Sequence, residues 1–177
     1  MNLALIREYL SYEPETGVFR WIKRAPRSKY GVGSTAGTID GDGYRRIIVL
    51  GKRHLAHQLA WQLTHGEIPG GLELDHKNHQ RDDNRIANLR LATRSENNAN
   101  SKHRRRASKY RGISRCSQTR LIKAAIRVGG RTVHIGYYET EEHAARAYDV
   151  AAIWHFGDFA TLNFPLTETP SRQGDRV

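Results

Sequence analysis

The chain has 177 residues, 38% of them hydrophobic, with one cysteine and a formal net charge of +11. That length fits one ordinary domain or two small ones with thin cores. A single cysteine excludes an intramolecular disulfide framework and a thiolate-based zinc knuckle, and no apolar run approaches the ~18–20 residues of a membrane helix. The stretch Met1–Glu8 lacks a basic segment followed by a long apolar one. The expectation is a cytoplasmic protein with no secretion signal and no membrane partner.

The charge is unevenly spread. Residues 101–138 contain 11 Lys and Arg and no Asp or Glu, while the remaining positions balance at 18 against 18. A cationic block of this kind is the electrostatic footprint of a nucleic-acid binder.

In chain order, residues 1–50 read as short strands and turns. Gly17–Ile22 and Tyr44–Leu50 are strand candidates separated by the glycine-rich stretch Gly31–Gly43. Leu55, Leu59 and Leu63 recur at helical spacing within His54–His65, and Gly66 is a natural stop. Residues 72–100 are polar and rich in Asn, Asp and His. Within them Thr93-Arg94-Ser95-Glu96 has capping-box spacing and predicts a helix from about residue 94. A basic linker follows at 101–108. Leu121–Val128 and Arg131–Tyr138 flank Gly129-Gly130, a two-residue hairpin signal, and an earlier strand at about Tyr110–Arg115 completes a three-stranded sheet. A helix is expected over Glu141–Phe156, with Thr140 as N-cap, two acidic residues at its positive end and Gly157 as its stop. The tail, 166–177, reads as loose. The predicted domains are 1–100, with a core motif at 54–100, and 109–165.

The chemistry concentrates in Leu74-Asp75-His76-Lys77-Asn78, Asn84, Asn88-Leu89-Arg90 and Asn97. A carboxylate and an amide oxygen are hard ligands for Mg²⁺ or Mn²⁺, and a neutral histidine can deprotonate water near neutral pH. If Asp75 and His76 share a strand, their side chains point to opposite faces, so one can hold a metal while the other meets the attacking water. A helix opening near Arg94 could bring Asn97 back beside Asp75. Such a set suits phosphodiester hydrolysis. His57 reads as packing or a DNA contact, and Trp61 as core.

Residues 54–100 resemble HNH endonucleases of the phage and intron-borne homing group. The match runs through Ala56-His57-Gln58-Leu59-Ala60-Trp61, Ile68–His76, Asp83–Arg90 and Thr93–Asn98. The resemblance implies a ββα-metal fold, one divalent ion (Mg²⁺ or Mn²⁺) per site, His76 as general base, Asp75 and Asn97 as metal ligands, and Asn88 as the residue orienting the histidine-bearing loop. Many relatives carry His where this chain has Asn97.

In the C-terminal half, alternation places Ile122, Ala124, Ile126 and Val128 on one strand face and Lys123 and Arg127 on the other. Arg111, Ile113 and Arg115 share a face of the preceding strand. The pattern predicts an apolar sheet face against a helix and a basic face outward. This half resembles the Apetala/ethylene-response-factor DNA-binding domain over residues 109–165, through Tyr110-Arg111-Gly112-Ile113, Ile135-Gly136-Tyr137-Tyr138, Ala144–Ala152 and Ala160–Pro165. The resemblance implies three antiparallel strands on one helix, with the sheet in the major groove of double-stranded DNA. Plant members carry tryptophans where Ile122 and His134 stand here, so their target sequence does not transfer. Expected DNA contacts are Arg111, Arg115, Lys123, Arg127 and Arg131, with Arg104, Arg105 and Arg106 of the linker.

The resulting expectation is an α+β protein: a nuclease acting in a bacterial host or a phage-infected cell, tethered to DNA by a second domain. Two alternatives remain open. One is a sequence-specific DNA-binding regulator with an inactive nuclease domain, and the other an RNA binder, which lacks support from exposed aromatic residues. The spacing of residues does not choose between monomer and homodimer.

Overall fold

A computed structural model describes residues 2–24, 30–101, 108–117 and 119–165. Most of the basic linker, with Arg104, Arg105 and Arg106, and the tail 166–177 lie outside the described residues. The chain divides into two compact units, Met1–Lys102 and His103–Val177.

The first unit opens with a short helix, α1 (Leu3–Arg7), capped by the Asn2 side chain. Two strands, β1 (Leu10–Glu13) and β2 (Val18–Trp21), form an antiparallel hairpin. Its turn ends at Gly17, whose φ is +72°. A Cβ there would stand 2.4 Å from the Arg85 backbone nitrogen, so only glycine lets this turn approach the loop that contains Asn84 and Arg85. Next come β3 (Thr38–Ile39), β4 (Arg45–Val49) and β5 (Lys52–Leu55), a three-stranded antiparallel sheet in that order. Leu50 and Gly51 join β4 to β5 with φ of 52° and 73°, the positive pair of a tight two-residue turn. Residues 54 and 55 therefore close a strand, and α2 (Ala56–His65) starts two residues later than its leucine spacing suggests.

Strands β6 (Leu72–His76) and β7 (Leu89–Thr93) pair antiparallel, with Asp75 opposite Arg90 and His76 opposite Leu89. Helix α3 (Arg94–Ala99) follows β7 directly. Its start is set by a complete capping box: the Thr93 side chain accepts from the Glu96 N–H, and the Glu96 carboxylate accepts from the Thr93 N–H. Two strands and a helix, with residues 77–88 as the connecting loop, make a ββα unit. The unit's apolar core draws on Phe19, Trp21, Ile47, Val49, Leu59 and Leu89, from the N-terminal strands, α2 and β7 together. Burial of such side chains stabilises by about 1.5–3 kcal/mol each, and here it fixes β7 and α2 against the same centre.

The second unit holds β8 (Ile113–Arg115), β9 (Ile122–Val128) and β10 (Arg131–Tyr138) in one antiparallel sheet with β9 in the middle. Gly129 and Gly130, at φ 57° and 82°, make the β9–β10 turn. Helix α4 (Glu141–Phe156) is capped by Thr140 and stops at Gly157. It packs on all three strands. Its small residues Ala144, Ala145 and Ala152 are buried, as are Ile122 and Ala124 opposite. Gly112 is a second obligatory glycine, since a Cβ would fall 1.9 Å from the Tyr148 ring. Asp149, buried on α4, accepts backbone N–H groups from Asn163 and Phe164 and so anchors the segment that ends the unit. β8 is shorter than the patterning from Tyr110 suggests: the Arg111 N–H is taken by the Asn163 side chain, while the Gly112 carbonyl still accepts from the Ala125 N–H of β9.

Candidate functional site in the ββα unit, and a basic sheet face

Successive residues of β6 face opposite ways, and that alternation builds the site. Glu73 and Asp75 turn toward α3. Asn97 donates to Glu73 Oε2 at 2.7 Å, and Asn100, just past the helix, donates to Asp75 Oδ1 and Oδ2 at 2.8 and 2.9 Å and to the His76 carbonyl at 3.1 Å. Arg90, opposite Asp75 on β7, places Nε 2.8 Å from Asp75 Oδ2. Asp75 and Asn100 are both only 5% exposed, so this carboxylate is shielded and fully engaged.

His76 points the other way, toward α2 and the residue preceding β4. Its ring lies 5.0 Å edge-on from His57 and 6.0 Å from Tyr44. The Arg81 guanidinium lies over the Tyr44 ring, 4.8 Å from its centroid. Burial draws the His76 pKa below its ordinary value, while the Asn84 side chain and the Asp75 and Asp83 carboxylates push back and Arg81 adds to the lowering. His57, likewise buried, is pulled to about 3 by burial and by His76. Both rings are thus neutral near pH 7, and Nε2 of His76 is buried from solvent with no hydrogen-bond partner among the described residues. A neutral imidazole can take a proton from a water that reaches one of its nitrogens.

Asn88 holds the loop between the strands. Its Oδ1 accepts from the Asn78 N–H at 3.1 Å, its Nδ2 donates to the Asp83 carbonyl at 2.8 Å, and its carbonyl accepts from the Lys77 N–H at 3.0 Å. Asp83 is locked from the other side by Arg85 and Asn78, which hold its pKa at about 2. The N-terminal hairpin braces the same loop: the Tyr12 hydroxyl donates to the Asn84 carbonyl at 2.8 Å, and the Ile86 N–H donates to the Pro14 carbonyl at 3.1 Å.

The four residues singled out from the sequence therefore occupy one ββα unit, with Asp75 and His76 on opposite faces of one strand. Asn97 meets Glu73, and Asn100 is the amide that reaches Asp75. Glu73 and Asn100 lie outside the residues expected from the sequence, and Arg90 lies among them without an expected role of its own. The signal for Asn100 was present, three positions after Asn97 and hence on the same helical face. The contact of Arg90 with Asp75 follows from strand register. Among the described residues no group of three His, Cys, Asp or Glu side chains is placed to hold a metal ion. An ion at Asp75 would draw instead on oxygen donors: the carboxylates of Asp75 and Glu73 and the amides of Asn97 and Asn100. These are hard ligands of the kind Mg²⁺ and Mn²⁺ take. The pocket already accommodates a cation, the Arg90 guanidinium.

In the second unit, directly opposed residues of an antiparallel pair share a face. Ser114, Lys123 and Tyr137 form one outward row, Ala125 and His134 a second, and Arg127 and Thr132 a third. A bulge between His134 and Gly136 keeps this arrangement: it tucks Ile135 inward with the core and turns Tyr137, which is 51% exposed, outward. Of the five expected contact residues, Lys123 and Arg127 lie on this face. Arg115 is paired across with buried Ile122 and reaches Glu141 of α4 at 3.9 Å, so it sits at the helix-facing edge. Arg131, opposite Val128, belongs to the same side. The Arg111 side chain hydrogen-bonds Tyr148 of α4, and its N–H is held by Asn163 at 2.6 Å.

Comparison with known proteins follows this division. The family model for HNH endonucleases matches residues 54–99. An uncharacterised HNH endonuclease of Acanthamoeba polyphaga mimivirus is 34% identical over 121 residues, covering 68% of this chain and 63% of the viral protein. The C-terminal region is similar to an AP2-like ethylene-responsive transcription factor of Arabidopsis thaliana, at 43% identity over a 72-residue alignment that covers 35% of this chain and 13% of the plant protein. The chain therefore spans less than two thirds of either relative. Among solved structures, one describing DNA binding and cleavage by the HNH homing endonuclease I-HmuI is 30% identical, covers 52% of this chain and 51% of its own, and has a TM-score of 0.40.

Proposed function

We propose that this chain, which carries an HNH endonuclease domain at residues 54–99 and an AP2/ERF-like region after it, hydrolyses phosphodiester bonds of double-stranded DNA with one divalent metal ion. The observation that supports this best is the split of Asp75 and His76 across β6. The carboxylate faces the oxygen-donor cluster of Glu73, Asn97 and Asn100, and the neutral imidazole faces away from it toward His57 and Tyr44.

In this reading His76 takes the proton of the attacking water, and burial among His57 and Tyr44 keeps it in the basic form that the step requires. Asn88 keeps the Lys77–Asn78 turn, and with it the end of β6, in place. Asp75 and Asn97, with Glu73 and Asn100 beside them, would hold Mg²⁺ or Mn²⁺. The ion would stabilise charge on the phosphate and on the departing sugar oxygen. The outward face carrying Lys123, Arg127, His134 and Tyr137 would anchor the enzyme on duplex DNA, its cations meeting phosphates and guanine edges. Proposed with it are the division into a nuclease domain, 1–100, and a DNA-binding domain, 109–165.

The decisive experiment is cleavage of supercoiled plasmid with Mg²⁺ or Mn²⁺, comparing wild type with His76→Ala. Metal-dependent nicking or linearisation that is lost in the variant supports the reading. Equal cutting by both refutes the assignment of His76. A second reading is favoured by the engagement of Asp75 with Arg90 and Asn100, namely a DNA-binding protein whose nuclease site is silent. Tight duplex binding without cleavage of a broad DNA pool would select it.

A further inference from the structure

Asp75 is the candidate metal ligand, yet a cation from the protein already stands on it. Arg90 is placed there by strand register, directly across from Asp75 in the β6–β7 ladder, and its Nε lies 2.8 Å from Oδ2. The two side chains are 15% and 6% exposed, so solvent screens the pair little. Asn100 covers both oxygens from the other side, again through a donor. Oδ2 already accepts from both Arg90 and Asn100, so an ion on that oxygen must displace a donor, and an ion on Oδ1 meets the guanidinium's like charge across the same carboxylate.

We infer that Arg90 is an internal competitor of the divalent ion for Asp75. Metal loading on Oδ2 then requires the guanidinium to leave, and use of Asn100 as a ligand requires its amide to turn from donor to acceptor. This rests on the nuclease reading above and adds to it a named residue that sets metal affinity. It also links loading to DNA. A guanidinium released beside the site has the planar fork that binds a phosphate oxygen pair, so an arriving DNA strand offers Arg90 its replacement partner. Arg90 acts on the ion through Asp75 and is a positioning residue, not a catalytic one.

The test is Mn²⁺ binding to the full chain without DNA, by titration calorimetry and by the Mn²⁺-induced shift of the melting temperature, for wild type and Arg90→Met. Binding in the variant should be at least about fivefold tighter, the low end of ordinary coupling between ligands, and its melting temperature should rise more with Mn²⁺. Arg90→Lys keeps the charge on a more flexible stem and loses the fork; it should move in the same direction by less, and it carries the test if the methionine variant does not fold. A structural ion pair alone predicts melting loss with Mn²⁺ affinity unchanged or weaker, and that result overturns the inference while leaving the nuclease reading intact. Absence of Mn²⁺ binding in wild type and both variants overturns both.

Discussion

Asn88 offers the sharpest separation between positioning and direct chemistry. It is 7% exposed, and its side chain satisfies two backbone groups of the loop, the Asn78 N–H and the Asp83 carbonyl. Asn88→Ala removes both partners and leaves β6, β7 and the Lys77 N–H bond to the residue-88 carbonyl in place. An unpaired buried polar group costs about 1–3 kcal/mol. Both groups are only partly buried and water can reach them in part, so the sum should be about 2–3 kcal/mol. With a urea m-value of ~1–3 kcal/mol/M for a small protein, the unfolding midpoint should fall by about 0.7–3 M. Asn88→Asp should be at least as damaging, since it sets a carboxylate oxygen against the Asp83 carbonyl. The paired assay is urea unfolding and plasmid cleavage on the same preparations. Loss of cleavage that accompanies the loss of stability fits an orienting role. Full stability with lost cleavage would refute the reasoning and move Asn88 into contact with substrate. Unchanged stability and unchanged cleavage would show that the loop is held without it.

Other consequences follow from the same geometry. Gly17→Ala and Gly112→Ala should each destabilise by more than about 2 kcal/mol, because each Cβ meets atoms under 2.5 Å away at a positive φ; thermal melts check this, and Gly17→Ala should also depress cleavage by displacing the loop around Asn84. Asp83 has a folded pKa of about 2, held down first by Arg85 and then by Asn78. Its contribution to stability is therefore complete above about pH 4 and is lost as pH falls toward 2; stability measured across that window should slope less in Asp83→Asn. On the C-terminal sheet, Lys123→Ala and Arg127→Ala should each weaken duplex binding and reduce the salt slope of log K by about 1. Arg115→Ala and Arg131→Ala should change that slope less, and equal slopes for all four would argue against the outward face as the contact surface.

What the sequence by itself determined was whatever depends on neighbours a few positions away. The capping box at Thr93–Glu96, the span of α4 from its Thr140 cap to its Gly157 stop, and the Gly129-Gly130 turn are local rules, and the structure follows them. The family motif likewise places Asp75, His76, Asn88 and Asn97 in one short unit. The strand β5 and the first helix escaped notice because each is only four or five residues long and has no periodicity to show. Partners set by register were equally hidden. Arg90 meets Asp75 across 15 positions, Asn100 meets it across 25, and Tyr12 reaches Asn84 across 72. A side chain's face also depends on an event that no alternation rule contains, the bulge at Ile135, which reverses where Gly136 and Tyr137 point. Tertiary structure decided these points because hydrogen-bond partners far apart in the chain are chosen by packing of the whole unit. The same packing places the carboxylate, its resident cation and the buried imidazole around one strand.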